Sequence, residues 1–121
     1  MKIAVTSNGK DLSADVDPRF GRAANFIIVD PDSMEYKAVE NTQNMSLPQG
    51  AGIQAGKTVV ENKVDVVLTG NCGPKAFKVL EAAGVKVVVN VSGTVEEVVK
   101  QFKNDEFGSY AKTPNVNGHW M

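Results

Sequence analysis

Apolar and polar positions alternate along the chain with two different periods, and the switch between them predicts the elements. Lys2–Ser7 (KIAVTS) is a short β-branched run stopped by Asn8-Gly9 and predicts a first strand. Asn25–Asp30 (NFIIVD) predicts a second, ended by Pro31-Asp32, and the alternating Glu35–Asn41 (EYKAVEN) a third. The link Pro31–Ser33 is hairpin-sized, so strands two and three should be antiparallel neighbours. Val64–Thr69 and Val85–Val91 are nearly all apolar, as strands covered on both faces are. The period changes in three other places. Ile53, Val59 and Val60 fall on a helical spacing within Ile53–Lys63, despite Gly56. Pro74–Gly84 has proline in its first turn, glycine past its end, and Phe77, Leu80 and Ala83 on one face. Val95, Val98, Val99 and Phe102 stand at i, i+3, i+4 and i+7, preceded by Thr94 and Glu97 at the spacing of a capping box.

The order is β-β-β-α-β-α-β-α. Its last units are βαβ, which requires parallel strands and right-handed crossovers. The expected fold is an α/β domain with one five-stranded mixed sheet, order 3-2-1-4-5, strand two antiparallel, and helices on both faces. Residues 1–104 form that domain. Residues 105–121 have no period and read as a loosely held tail. Phe107–Met121 should be dispensable unless Tyr110 or Trp120 packs back. Lys10–Ala23, polar and broken by Pro18 and Gly21, reads as a long loop more mobile than the sheet, and Met45–Gly52 as another loop. In this topology the C-terminal ends of strands one, three, four and five share one edge with the N-termini of the helices. That edge is where open α/β sheets bind ligands.

Composition narrows the function. The chain has 121 residues, 42% of them hydrophobic, and a net charge of −1 with no basic block. That suffices for a core and speaks against nucleic acid as a partner. A single cysteine forms no internal disulfide, which fits a reducing cytoplasm. The N-terminal MKIAVTSNGKD turns polar after four or five residues, too soon for a signal-peptide core, and no run approaches a membrane span. The expectation is a soluble cytoplasmic protein.

Three segments carry candidate chemistry at the predicted ligand edge. Asp17–Ala23 (DPRFGRA) holds Arg19, Phe20 and Arg22 around Gly21. Either the loop closes its two guanidinium forks on an anion, or Phe20 plugs the sheet edge and the arginines are solvated. Gly70–Pro74 (GNCGP) joins a buried strand to a helix. Amides at a helix start favour anions and lower a thiol's pKa, so Cys72 is either a metal-ligating thiolate or a small residue in a tight turn. Ala51–Thr58 (AGIQAGKT) only imitates a phosphate-binding loop. The leading glycine is displaced to Gly50 or Gly52, no strand precedes it, and Gly56 falls within a helix. An enzyme is the weakest reading. The single histidine, His119, lies in the tail, too remote to serve Cys72 as a base, and one Cys with one His cannot close a zinc site. Strand one also lacks the central carboxylate that a two-metal nuclease would want.

These segments resemble the dinitrogenase iron–molybdenum cofactor biosynthesis family, the group of NifX-like proteins and the NifB C-terminal domain. The likeness runs from about Met1 to Phe102. It rests on Arg19–Ala23 (RFGRA), Gly50–Gly52 (GAG) and the Gly-x-x-Gly-Pro-x-Ala-Phe pattern of Gly70–Phe77. The resemblance implies a three-layer α/β/α, ribonuclease-H-like fold and a non-catalytic protein that binds or carries an iron–sulfur or iron–molybdenum cluster or its precursor. Its partners would be metallocluster donor and acceptor proteins.

Such cargo is anionic. Three helix N-termini with Arg19 and Arg22 would surround it, and Cys72 would add one soft ligand. The expected binding set is therefore Arg19, Phe20, Gly21, Arg22, Gly50, Gly52, Gly70, Asn71 and Gly73, with Cys72 on metal. Cys72→Ser should leave the fold intact. The alternative function is a regulatory domain that binds a small molecule or anion at the same edge without metal.

Overall fold

The computed structural model describes residues 1–45, 47 and 50–116. Five strands, β1 (Ile3–Ser7), β2 (Asn25–Val29), β3 (Tyr36–Glu40), β4 (Val66–Leu68) and β5 (Lys86–Val88), form one sheet in the order β3-β2-β1-β4-β5. β2 runs antiparallel to both β1 and β3, while β4 is parallel to β1 and β5. The helices are α1 (Thr42–Met45), α2 (Ala51–Glu61), α3 (Pro74–Ala82) and α4 (Val95–Lys103). The expected sheet order and strand directions are all present.

Strand alternation divides the interior into two layers. Ala4, Phe26, Ile28, Val67 and Val87 share a core with Ala55 and Val59 of α2 and with Ala76, Phe77 and Leu80 of α3. Ile3, Val5, Ile27, Val29, Val66, Leu68 and Val88 share the other with Val95, Val98 and Val99 of α4. Sheet strands buried on both sides are what near-continuous apolar runs require. Each fully buried valine of α4 contributes about 1.5–3 kcal/mol. The Thr94–Glu97 capping box closes the start of that helix in both directions.

α2 and α3 pack unusually close. A Cβ on Gly56 would stand 2.9 Å from Val79 Cγ1, so Gly56 is a contact glycine inside α2 and not part of a phosphate loop. Lys57 beside it is exposed.

The structure departs from the expected elements in four places. A short helix, α1, occupies Thr42–Met45, where Asn44 and Asn41 bond side chain to side chain. α2 begins at Ala51, so Gly50 is its N-cap and Gly52 lies in its first turn. β5 ends at Val88 because Asn90 turns to a φ of 64° and its N–H donates to Gly70 O at 2.8 Å. Finally, two residues of the 105–116 segment pack back on the domain. Phe107 packs on the α4-side core and Ala111 on the other. Ala111 N donates to Val87 O at 2.8 Å, along the β5 side of the sheet. Tyr110, an expected anchor, remains 39% exposed, so the segment is held by Phe107 and backbone instead. Trp120 and His119 lie outside the described residues.

Candidate functional site

The C-terminal ends of β1 and β4 are central in the sheet, and the connections leaving them diverge. The β1 chain passes into the 10–23 loop, and the β4 chain into the 70–73 turn and α3. This is the topological switch point where ligand crevices form.

A buried polar knot fixes the two connections together. Thr6 Oγ1, at the end of β1, donates to Asp17 O at 2.7 Å and lies 2.9 Å from Thr69 Oγ1, just past β4. Asp17 is 2% exposed, and its carboxylate accepts the Arg19 N–H at 2.9 Å. Arg19 bridges to Asn71 in parallel fashion, Phe20 N donates to Asn71 O at 3.1 Å, and Asn71 Nδ2 donates to Pro18 O at 3.0 Å. The approach is so close that only glycine fits at position 70: a Cβ there would lie 2.7 Å from Pro18 Cα and 2.8 Å from Pro18 O. The Arg19 loop and the 70–73 turn therefore form one surface.

Within that surface the residues divide by exposure. The Arg19 side chain is 43% exposed, with Nε 3.5 Å from Asp17 Oδ1. That pair uses one of five guanidinium N–H groups. Phe20 is fully buried, its ring centroid 5.3 Å from that of Phe26. It plugs the α2/α3-side core, so this half of the solvated-loop alternative holds for Phe20. Gly21 O accepts from Asn41 Nδ2 at 3.1 Å, and Ala23 O from the same nitrogen at 2.8 Å. Arg22 Nη1 donates to Leu47 O at 2.7 Å and so ties the loop to the chain leading into α2. Gly50, at a φ of 82°, caps α2 without a side-chain bond, and Gly73 likewise caps α3, with Pro74 following.

The third helix start differs from the expectation. α4 does not offer its first amides to a ligand, because Val95 N donates to Ala14 O at 2.9 Å and Glu96 N to Leu12 O at 2.9 Å. The 10–16 segment lies across that terminus, its Asp15 bridging Thr94.

Cys72 reverses its expected chemistry. Its side chain is fully buried in the apolar core, and burial pushes the thiol up to about 12 instead of lowering it. Sγ makes only a weak contact of 3.8 Å to Gly73 O. Desolvation outweighs the favourable amides, because the sulfur is on the core side of the turn. In this conformation Cys72 is a neutral thiol and presents no thiolate at the edge. Among the described residues, no group of three or more His, Cys, Asp or Glu side chains could hold a metal ion. No described helix is long and apolar enough to cross a membrane.

Sequence patterning missed Asn115. Its Oδ1 accepts the Cys72 N–H at 2.8 Å, while its Nδ2 donates to Asn71 Oδ1 at 3.1 Å and Gly70 O at 3.3 Å. Its own N–H donates to Cys72 O at 3.3 Å. An asparagine in an aperiodic tail gives no periodic signal. Thr6, Asp17 and Thr69 were also missed, since their partners are far apart in sequence.

Comparison with known proteins supports the fold. The sequence model described as dinitrogenase iron-molybdenum cofactor matches residues 1–105. The apo form of the orange protein from Desulfovibrio gigas is similar in structure, with 43% identity and a TM-score of 0.91 over 95% of this chain and 96% of that one. A Thermotoga protein of the DUF35 family, described as a candidate NifB protein, shows 40% identity and a TM-score of 0.74 over 85% and 87% of the two chains. An uncharacterised protein of Methanocaldococcus jannaschii is 30% identical over 105 residues, 84% of this chain and 85% of its own.

Proposed function

The chain belongs to the dinitrogenase iron–molybdenum cofactor family, and we propose that it is a non-catalytic carrier of an iron–sulfur or iron–molybdenum cluster or precursor. The single observation that carries this reading is the joint surface of the Arg19 loop and the 70–73 turn at the β1/β4 switch point. The half-exposed Arg19 guanidinium and the α3 start, which lacks a side-chain cap, suit an anionic cargo there.

The cargo is held by charge and hydrogen bonds around it, with Arg19, Gly21, Arg22, Asn71 and Gly73 at or behind the surface and Gly50 and Gly52 at the neighbouring α2 start. A hold of this kind lets the cluster pass from a donor protein to an acceptor. Cys72 joins as a ligand only if the turn rearranges to bring its sulfur outward.

The test is anaerobic reconstitution with iron and sulfide, with and without molybdate, read by visible absorption. A chromophore that stays with the protein through gel filtration, and is reduced by Arg19→Ala, is the expected result. The burial of Cys72 favours one second reading, an anion-binding regulatory domain without metal. In that case the protein stays colourless and simple oxyanions raise its melting temperature.

A further inference from the structure

We propose that residues 107–116 form an intramolecular strap whose Asn115 carboxamide occupies the Cys72 amide that an anionic ligand of the 70–73 turn would use. This inference rests on the anion-binding reading of that surface and adds its regulation.

Four hydrogen bonds join Asn115 to three consecutive residues of the turn: Oδ1 to Cys72 N, Nδ2 to Asn71 Oδ1 and Gly70 O, and its N–H to Cys72 O. Pro74 at the first helical position has no N–H, so the α3 start offers a ligand one backbone donor fewer. The Cys72 amide is a donor of this turn next to Asn71, which itself bonds the Arg19 loop. A carboxamide oxygen is a neutral acceptor and makes a weaker bond than an anion would. It satisfies the part-buried amide in the ligand's absence and yields to a charged ligand.

The strap has its own anchors and a short free reach. Phe107 and Ala111 pack on the two cores, and Ala111 N bonds Val87 O. Asn115 stands four positions beyond Ala111. Releasing the plug therefore requires movement only of the chain after Ala111, with the sheet and helices unchanged. A bound ligand and a seated Asn115 exclude each other at one N–H, so apparent affinity is reduced by the fraction of time the strap is open.

The experiment titrates molybdate into the full chain, Asn115→Ala and a chain ending at Ala111, by isothermal calorimetry. Amide hydrogen exchange is followed in parallel by NMR. Both variants should bind about tenfold more tightly, corresponding to a strap open about a tenth of the time. The Cys72 amide should lose protection in both, while Val5 and Val67 keep theirs. Equal affinity in all three chains overturns the strap and leaves the anion site standing. Weaker binding in the variants also overturns it, since Asn115 would then be a support for the turn or a ligand contact. Molybdate binding to none of the three overturns the anion site and the strap together.

Discussion

Gly70 and Pro18 approach so closely that a single added carbon on Gly70 would fall 2.7 Å from Pro18 Cα. That backbone-to-backbone contact, fifty-two positions apart, locks the Arg19 loop onto the turn that starts α3. Neither backbone can retreat without breaking the Thr6–Asp17–Thr69 knot beneath. Gly70→Ala should therefore destabilise the fold by about 1–3 kcal/mol, the usual range for overpacking. Urea denaturation measures it, and amide shifts at Arg19 and Phe20 should change more than those of α4.

Phe20 should behave as a core residue although it stands in a polar loop. It is fully buried against Phe26. Phe20→Ala should lose about 3–5 kcal/mol in chemical denaturation. A loss below about 1 kcal/mol would mean that the loop is not seated as described.

Cys72 should be inert and pH-sensitive in a defined direction. Burial pushes its thiol from an ordinary 9.0 to about 12. The folded state then holds the proton more tightly than the unfolded chain. The contribution to stability is complete below pH 9, and it falls as pH rises toward about 12. Cys72→Ala should flatten that alkaline part of the stability curve relative to the parent chain. Native protein at pH 8 should resist iodoacetamide, and unfolded protein should react. Cys72→Ser should be less stable than Cys72→Ala. A hydroxyl among apolar side chains without a good partner costs about 1–3 kcal/mol, a loss compatible with the expectation that the serine variant keeps the fold.

Removal of residues 105–121 should lower stability measurably, because Phe107 and Ala111 pack on both cores and Ala111 bonds β5. Thermal unfolding of a chain ending at Asn104 checks this, and an unchanged melting temperature would contradict the packing.

The sheet was readable because burial on two faces writes itself as unbroken apolar runs, and β2–β3 pairing as a hairpin-length link. The capping box of α4 was readable because its two partners are three residues apart. What stayed hidden depends on distant backbone. Asn115 meets Cys72 across forty-three positions, and Asp17 is buried by the ends of two strands. The Cys72 environment stayed open for a related reason. Sequence puts the residue at a helix start, but not on which side of the turn its sulfur falls. The α4 terminus looked available until the 10–16 segment was found bonded across it.

Arg19 should supply electrostatic attraction beyond its ion pair with Asp17. Arg19→Ala is expected to weaken cluster or anion binding, and to do so more at low salt than at high salt, because screening already reduces an exposed charge's contribution. Binding titrations at two ionic strengths check this. An equal loss at both would assign Arg19 a purely structural part.

The central claim is that cargo sits on the surface shared by the Arg19 loop and the 70–73 turn. The most direct measurement is a ¹H–¹⁵N correlation spectrum before and after anaerobic loading with iron, sulfide and molybdate. The account predicts that amides of residues 19–22 and 70–73 shift or broaden first, with residues of the opposite sheet end, such as Lys2 and Tyr36, unaffected. A bound chromophore that instead perturbs the Lys2–Tyr36 end, and leaves the Arg19 and Asn71 amides unchanged, would contradict it.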